Sequence, residues 1–119
     1  RAIGELVTVP LLDGLTQPLT GFENHGGGTV LGPDAAPLGR VVAGVGNGTP
    51  QGREPDRVAY DGAVQGSVIA TYMHGPALAR NPELADLLLQ RATGVALEPL
   101  EVPGVAELRA ERLAGVQLS

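Results

Sequence analysis

Apolar residues fall along this chain in two rhythms, and the change comes near residue 74. Over the first two thirds they form short runs broken by Gly, Pro, Asn and Asp, as brief strands and turns do. Residues 3–9 (IGELVTV) alternate loosely and stop at Pro10, which cannot donate in a central ladder. Further strands are expected over 19–23, 40–45, 58–60 and 68–72, with DGAVQG at 61–66 as a hairpin-like turn or bulge. The stretch GNGTPQGREPD at 46–56 is dense in turn formers and reads as a mobile surface loop.

The last third changes to helical spacing. Asn81 stands at an N-cap position, and Pro82 suits the first helical residue because its missing N–H would find no intrahelical partner there. Glu83 and Asp86 place negative charge in the first turn, which the helix dipole favours. Leu84, Leu87, Leu88 and Arg91 follow at i, i+3, i+4 and i+7, and Gly94 is a C-terminal cap. The apolar part of that stripe should face a sheet. A second helix is expected over 105–114, exposing charges of both signs and serving to pack or cover.

At 119 residues the chain suffices for one domain and falls short of two. The net charge is −5 and all eight basic residues are arginine, so the cationic surface that neutralises phosphates is lacking and nucleic acid is not an expected partner. No apolar run approaches the roughly 20 residues needed to cross a bilayer, and no signal-peptide pattern opens the chain. A cytoplasmic location is expected. The absence of cysteine excludes disulfides, thiolate metal sites and a cysteine nucleophile supplied by these residues. The opening at Arg1, running directly into a strand, reads as the interior of a longer polypeptide.

Two stretches carry candidate chemistry. In YMHGP, His74 lies just beyond an expected strand, in a bend enforced by Gly75 and Pro76. A histidine so placed can turn a ring nitrogen towards a pocket and act as a general base, or simply make one backbone hydrogen bond in a loop. In GFENHGGGT, Glu23 and His25 share one face of an extended segment that enters a triple-glycine turn. Those glycines permit close backbone approach and positive φ, which suits N–H groups offered to a carboxylate or phosphate. A hairpin merely held by Glu23 and His25 fits the same residues. No HxxxH, HxH or HxxE spacing occurs, so no metal site is expected, and without lysine a Walker loop is excluded.

LTGFENHGGGTVLG, LGRVVAGVGNG and ATYMHGPALARNPELADLLLQRA together resemble the C-terminal half of a class I glutamine amidotransferase of the cobyric acid synthase-like branch. Within it they resemble the amidotransferase subunit of lipid II isoglutaminyl synthase. The resemblance implies an α/β fold: part of a flavodoxin-like domain whose sheet has parallel and antiparallel strands, with flanking helices, residues 1–119 forming its C-terminal part. It implies no cofactor. In that family a cysteine on a strand-to-helix elbow attacks the side-chain amide of L-glutamine, and the histidine of the HGP block activates it. His74 occupies that place and would also protonate departing ammonia. Arg1 stands where an arginine binds glutamine, and its guanidinium fork suits the α-carboxylate. Asn24, His25 and Gly26 correspond to a segment near the glutamine pocket.

The nucleophile and its oxyanion hole would then belong to an N-terminal half of the domain outside these residues, and this chain alone is expected to be inactive. Pro76 stands where many class I members carry a glutamate, which leaves the third member of the triad open. The implied partner is an ATP-dependent Mur-ligase-like synthetase subunit that uses the ammonia to convert D-glutamate of the peptidoglycan stem to D-isoglutamine. The isolated 119 residues are expected to self-associate through the uncovered sheet. Two alternatives stand beside this reading: amidation in the cobyrinic or cobyric acid branch, and a non-catalytic partner-binding module.

Overall fold

The computed structural model describes residues 1–49 and 56–118. The loop expected over 46–56 therefore lies largely outside the described residues. Strand β1 (Ala2–Pro10) pairs antiparallel with β2 (Leu19–His25), in a register that sets Ala2 opposite His25 and Thr8 opposite Leu19. On its other edge β1 meets β3 (Gly39–Ala43), with a bulge between Val7 and Thr8, and β3 meets β4 (Tyr60–Asp61). The sheet order is β2-β1-β3-β4. The central place of β1 explains its loose alternation: from Leu6 to Thr8 both faces are covered, whereas Ile3 and Glu5 stay open.

A separate hairpin joins β5 (Ala63–Gln65) to β6 (Val68–Ala70). This corrects two expectations. The segment 61–66 is not itself the turn, because residues 63–65 are a strand and the chain reverses at Gly66, with φ +59°. The strands expected at 58–60 and 68–72 shrink to Tyr60–Asp61 and Val68–Ala70. All strand pairings among the described residues are antiparallel, so the parallel pairs of the expected mixed sheet are not found among them. Parallel neighbours need a crossover of a dozen or more residues, usually helical, and no helix connects any two of these strands.

Helices α1 (Ala77–Arg80), α2 (Pro82–Thr93) and α3 (Val105–Leu113) follow. Leu84 on α2 joins Leu6, Leu15, Leu19, Leu38 and Met73 in the buried core, and Leu87 and Leu88 pack against it. The i, i+3, i+4 stripe thus faces the sheet as expected, and Gly94 caps the helix in the left-handed region at φ +74°. No helix among the described residues is long and apolar enough to cross a membrane.

Asn81 behaves differently from the expected cap. It stands at the N-cap position but makes no side-chain cap bond. Fully buried, it accepts from the Thr20 N–H at 2.9 Å, and its amide donates to the Thr20 carbonyl at 2.8 Å and to the Ala77 carbonyl at 2.7 Å. The physical reason is that β2 is an edge strand, whose outward backbone groups need partners in a buried setting. The Asn81 side chain plays the neighbouring strand at Thr20. Arg109 of α3 completes the junction, donating to Asn81 Oδ1, to the Arg80 carbonyl and to the Pro18 carbonyl. That helix is fastened at its centre by one arginine and is not a merely solvated cover.

Glu83 likewise does more than complement the helix dipole. Its carboxylate accepts from the Thr16 and Gln17 N–H groups at 2.7 and 2.9 Å and from the Thr16 hydroxyl at 2.7 Å. Partial burial pushes its pKa up, but these bonds and nearby Arg109 outweigh burial and hold it below the ordinary value.

Candidate active site

The outward backbone of β2 finds a second partner two residues beyond Thr20. The His74 N–H donates to the Phe22 carbonyl at 2.6 Å, forming an isolated antiparallel bridge. Bridge partners project their side chains to the same face, and residues i and i+2 of a strand do so as well. Phe22, Asn24 and His74 therefore share one face of the sheet edge, and it is an open one: Phe22 is 38% exposed, and Ile3, opposite Asn24, is 64% exposed.

The ring of His74 is oriented from within. Its Nδ1 lies 2.6 Å from the Tyr72 carbonyl oxygen, which can only accept, so Nδ1 carries the proton. In the neutral ring this leaves the lone pair on Nε2, at an exposed position. A base of this kind is what proton abstraction needs: a fixed tautomer with its free nitrogen facing outward.

Arg1 reaches the same patch. Its Nε donates to Asn24 Oδ1 at 2.7 Å, and a Cβ added at Gly26 would lie 3.7 Å from its Nη1. The structure thus gathers Arg1, Asn24 and Gly26 at one end of the β1–β2 pair, with His74 bridged to Phe22 farther along the same strand edge. An exposed guanidinium with free donors can take a carboxylate.

His25 is placed otherwise. It lies on the opposite face of β2, 8% exposed, with Nδ1 2.9 Å from the Gly27 carbonyl and Nε2 2.8 Å from Glu23 Oε2. Both ring nitrogens are occupied by the protein itself. Glu23, also buried, accepts from the Val45 N–H at 2.6 Å and the Gly46 N–H at 2.9 Å. Gly44 and Gly46, with φ of +101° and +70°, turn the chain after β3 so that these two N–H groups converge on the carboxylate. This is why β3 stops at Ala43 and not at Val45. The backbone cradle expected at Gly26–Gly28 instead has no positive φ, and what glycine supplies there is close approach: a Cβ at Gly28 would lie 3.0 Å from the Asn47 carbonyl.

The buried cluster supports the His74 segment from beneath. His25 stacks on Tyr72 with ring centroids 3.9 Å apart, and the Tyr72 hydroxyl meets Thr29 Oγ1 at 2.7 Å. Asp61, 1% exposed, accepts from the Tyr72 N–H at 3.1 Å and the Thr71 hydroxyl at 2.5 Å. Burial raises its pKa above the ordinary 3.8, against the lowering effect of those two bonds. A carboxyl with a raised folded pKa favours the fold when protonated, so its contribution is full below about pH 3.8 and is lost as pH climbs through the raised value.

Sequence reasoning passed over Asp61 and Tyr72. Asp61 looked like a turn former because Gly62 follows it, and its partners lie ten and eleven residues away. Tyr72 could have been found from its i−2 spacing to His74. Among the described residues no group of three or more His, Cys, Asp or Glu side chains stands together as a metal site would require.

Comparison with known proteins identifies the family. The model of the CobB/CobQ-like glutamine amidotransferase domain matches residues 1–82, which include every candidate residue above. The GatD subunit of lipid II isoglutaminyl synthase (glutamine-hydrolyzing) from Staphylococcus aureus strain N315 is 37% identical over 98 residues, covering 80% of this chain and 37% of that protein. The GatD subunit from Streptococcus pneumoniae strain R6 is 35% identical over 95 residues, covering 79% and 34%. A probable cobyric acid synthase from Methanothermobacter thermautotrophicus is 46% identical over 59 residues, covering 50% of this chain and 10% of that protein. The chain thus spans about a third of the length of the GatD subunits it matches. It belongs to the CobB/CobQ-like glutamine amidotransferase family.

Proposed function

We propose that this chain carries the base-bearing part of a glutamine-hydrolysing site, in which His74 activates a cysteine supplied by residues outside these 119. The observation that carries the reading is the Nδ1–H bond to the Tyr72 carbonyl, which leaves Nε2 of an exposed histidine free as a base in a chain that has no cysteine. Nε2 takes the thiol proton, and the thiolate adds to the amide carbon of L-glutamine. The proton then passes from Nε2 to the leaving nitrogen as the C–N bond breaks, releasing ammonia and leaving a glutamyl thioester. A water deprotonated by Nε2 adds to the thioester, the C–S bond breaks, and glutamate departs.

Arg1 binds the glutamine α-carboxylate in this reading, with Asn24 orienting the guanidinium and Gly26 leaving room beside it. His25 contributes by supporting Tyr72. The open face around Ile3 and Phe22 receives the nucleophile-bearing part of a flavodoxin-like domain; left uncovered, it drives self-association. The match to GatD over four fifths of the chain supports lipid II as the destination of the ammonia, through an ATP-dependent Mur-ligase-like partner in the cytoplasm. Cobyric acid amidation shares the glutamine chemistry and rests on a match to only half of the chain.

Ammonia release from L-glutamine tests the proposal, measured on the 119 residues alone and on the complete polypeptide. The expected result is turnover by the complete polypeptide and background by the isolated chain. Turnover by the isolated chain, or none by the complete polypeptide with its partner present, overturns it.

A further inference from the structure

The Tyr72 carbonyl that orients His74 is itself held by a relay of hydrogen bonds. The Thr71 hydroxyl donates to Asp61 Oδ2 at 2.5 Å, and Thr71 Oγ1 accepts from the Met73 N–H at 3.1 Å. The Met73 N–H and the Tyr72 carbonyl belong to one planar trans peptide, so fixing the direction of the first fixes the second, which points the opposite way. It points at His74 Nδ1, 2.6 Å away. The other oxygen of Asp61 holds the N–H of the preceding peptide, at Tyr72. One buried carboxylate thereby sets two successive peptide planes, and the second of them sets the tautomer and direction of the His74 ring.

We infer that Asp61, acting through Thr71, is a positioning residue for His74. It touches neither substrate nor the reacting atoms. It acts at one remove, with a main-chain carbonyl as the last link to the ring. The inference rests on the reading of His74 as the base.

The test uses the complete polypeptide and four variants: Asp61→Ala, Thr71→Val, Thr71→Ser and His74→Gln. Thr71→Val preserves shape and removes the hydroxyl, whereas Thr71→Ser keeps it. The expected kcat for glutamine hydrolysis falls about 10-fold to 100-fold in Asp61→Ala and Thr71→Val, the range a misdirected catalytic group costs. KM stays within about 2-fold, because the substrate-binding groups lie elsewhere. Thr71→Ser is expected to retain most of the activity.

Long-range proton–nitrogen spectra supply a readout that simple loss of stability would not move. The His74 ring signals, assigned by their disappearance in His74→Gln, are expected to show the Nδ1–H form in the native protein. In Asp61→Ala and Thr71→Val they should shift towards the Nε2–H form that free imidazole prefers. If Asp61→Ala fails to fold, the Thr71 pair decides alone. Native kcat and an unchanged Nδ1–H form in Thr71→Val overturn the inference, and so does equal loss of activity in Thr71→Val and Thr71→Ser. Full activity in His74→Gln overturns the reading of the base instead, which separates the two failures.

Discussion

Replacing His74→Ala in the complete polypeptide is expected to lower the kcat for glutamine hydrolysis by about 100-fold or more, the usual contribution of the positioned general base that His74 is proposed to be. In the proposed mechanism the loss falls on kcat, because Nε2 would move protons in both the acylation and the deacylation steps. KM is expected to change little, since the Arg1–Asn24 pair and the His74 ring make separate hydrogen bonds. Stability hardly changes: the side chain is exposed and makes one hydrogen bond, and substitutions at such positions usually fall within about 0.5 kcal/mol. The backbone bond from the His74 N–H to the Phe22 carbonyl survives the substitution. Steady-state kinetics with a melting curve on the same sample checks both halves. Near-native turnover would remove His74 from catalysis.

The largest effect on stability is expected at Gly62. Its φ is +78°, and a Cβ there would lie 2.2 Å from the Ala70 carbonyl oxygen and 2.8 Å from Leu38 Cβ. The first obstacle is backbone and the second a core residue, so neither can yield cheaply. The left-handed conformation costs a non-glycine residue about 1–2 kcal/mol and overpacking adds about 1–3, so Gly62→Ala should lose about 3 kcal/mol or more. The Gly62 N–H and carbonyl are both bonded to the Asn47 side chain, at 2.8 and 2.9 Å, so the backbone cannot swing aside without breaking that pair. Asp61 is the preceding residue, and its grip on Thr71 would loosen with the strain. Denaturant unfolding measures the change, and a loss below about 1 kcal/mol would show that the 60–70 segment relaxes freely.

The parts of the fold that were legible in the sequence are those written in local terms. Residues 82–93 announced themselves through Pro82, the leucine spacing and Gly94, all within one helix. The strand over 3–9 was legible because apolar residues lined it, although its neighbours on both sides were not. The bend at His74 was legible because Gly75 and Pro76 mark it, and the role proposed for His74 comes from the family resemblance. The relations that make the site work join residues far apart in sequence. Asn81 read as a cap and serves Thr20, 61 residues away, because an edge strand needs a partner more than the helix needs a cap. Asp61 read as a turn residue because the ladder of a two-residue strand leaves no periodic trace. Arg109 read as surface charge, since nothing near it in sequence tells of the Pro18 carbonyl.

Those long-range bonds also explain how a short chain with a modest core holds the His74 segment steady. The outward edge of β2 is closed at Thr20 by a side chain and at Phe22 by the His74 backbone, so the histidine is built into the strand edge. Beneath it, buried acids are matched to backbone N–H groups, hydroxyls and an imidazole, which satisfies each of them without exposing the segment to water. The upper face stays open around Ile3 and Phe22, where the proposed nucleophile would enter.

Where that nucleophile comes from is the central claim, and one measurement addresses it directly. The complete amidotransferase is treated with a glutamine analogue that carries an electrophile in place of the side-chain amide, and the adduct is mapped by mass spectrometry. The account predicts a single adduct on a cysteine outside these 119 residues, formed much more slowly in His74→Ala. An adduct on any residue of this chain, or labelling at an undiminished rate in His74→Ala, would contradict it.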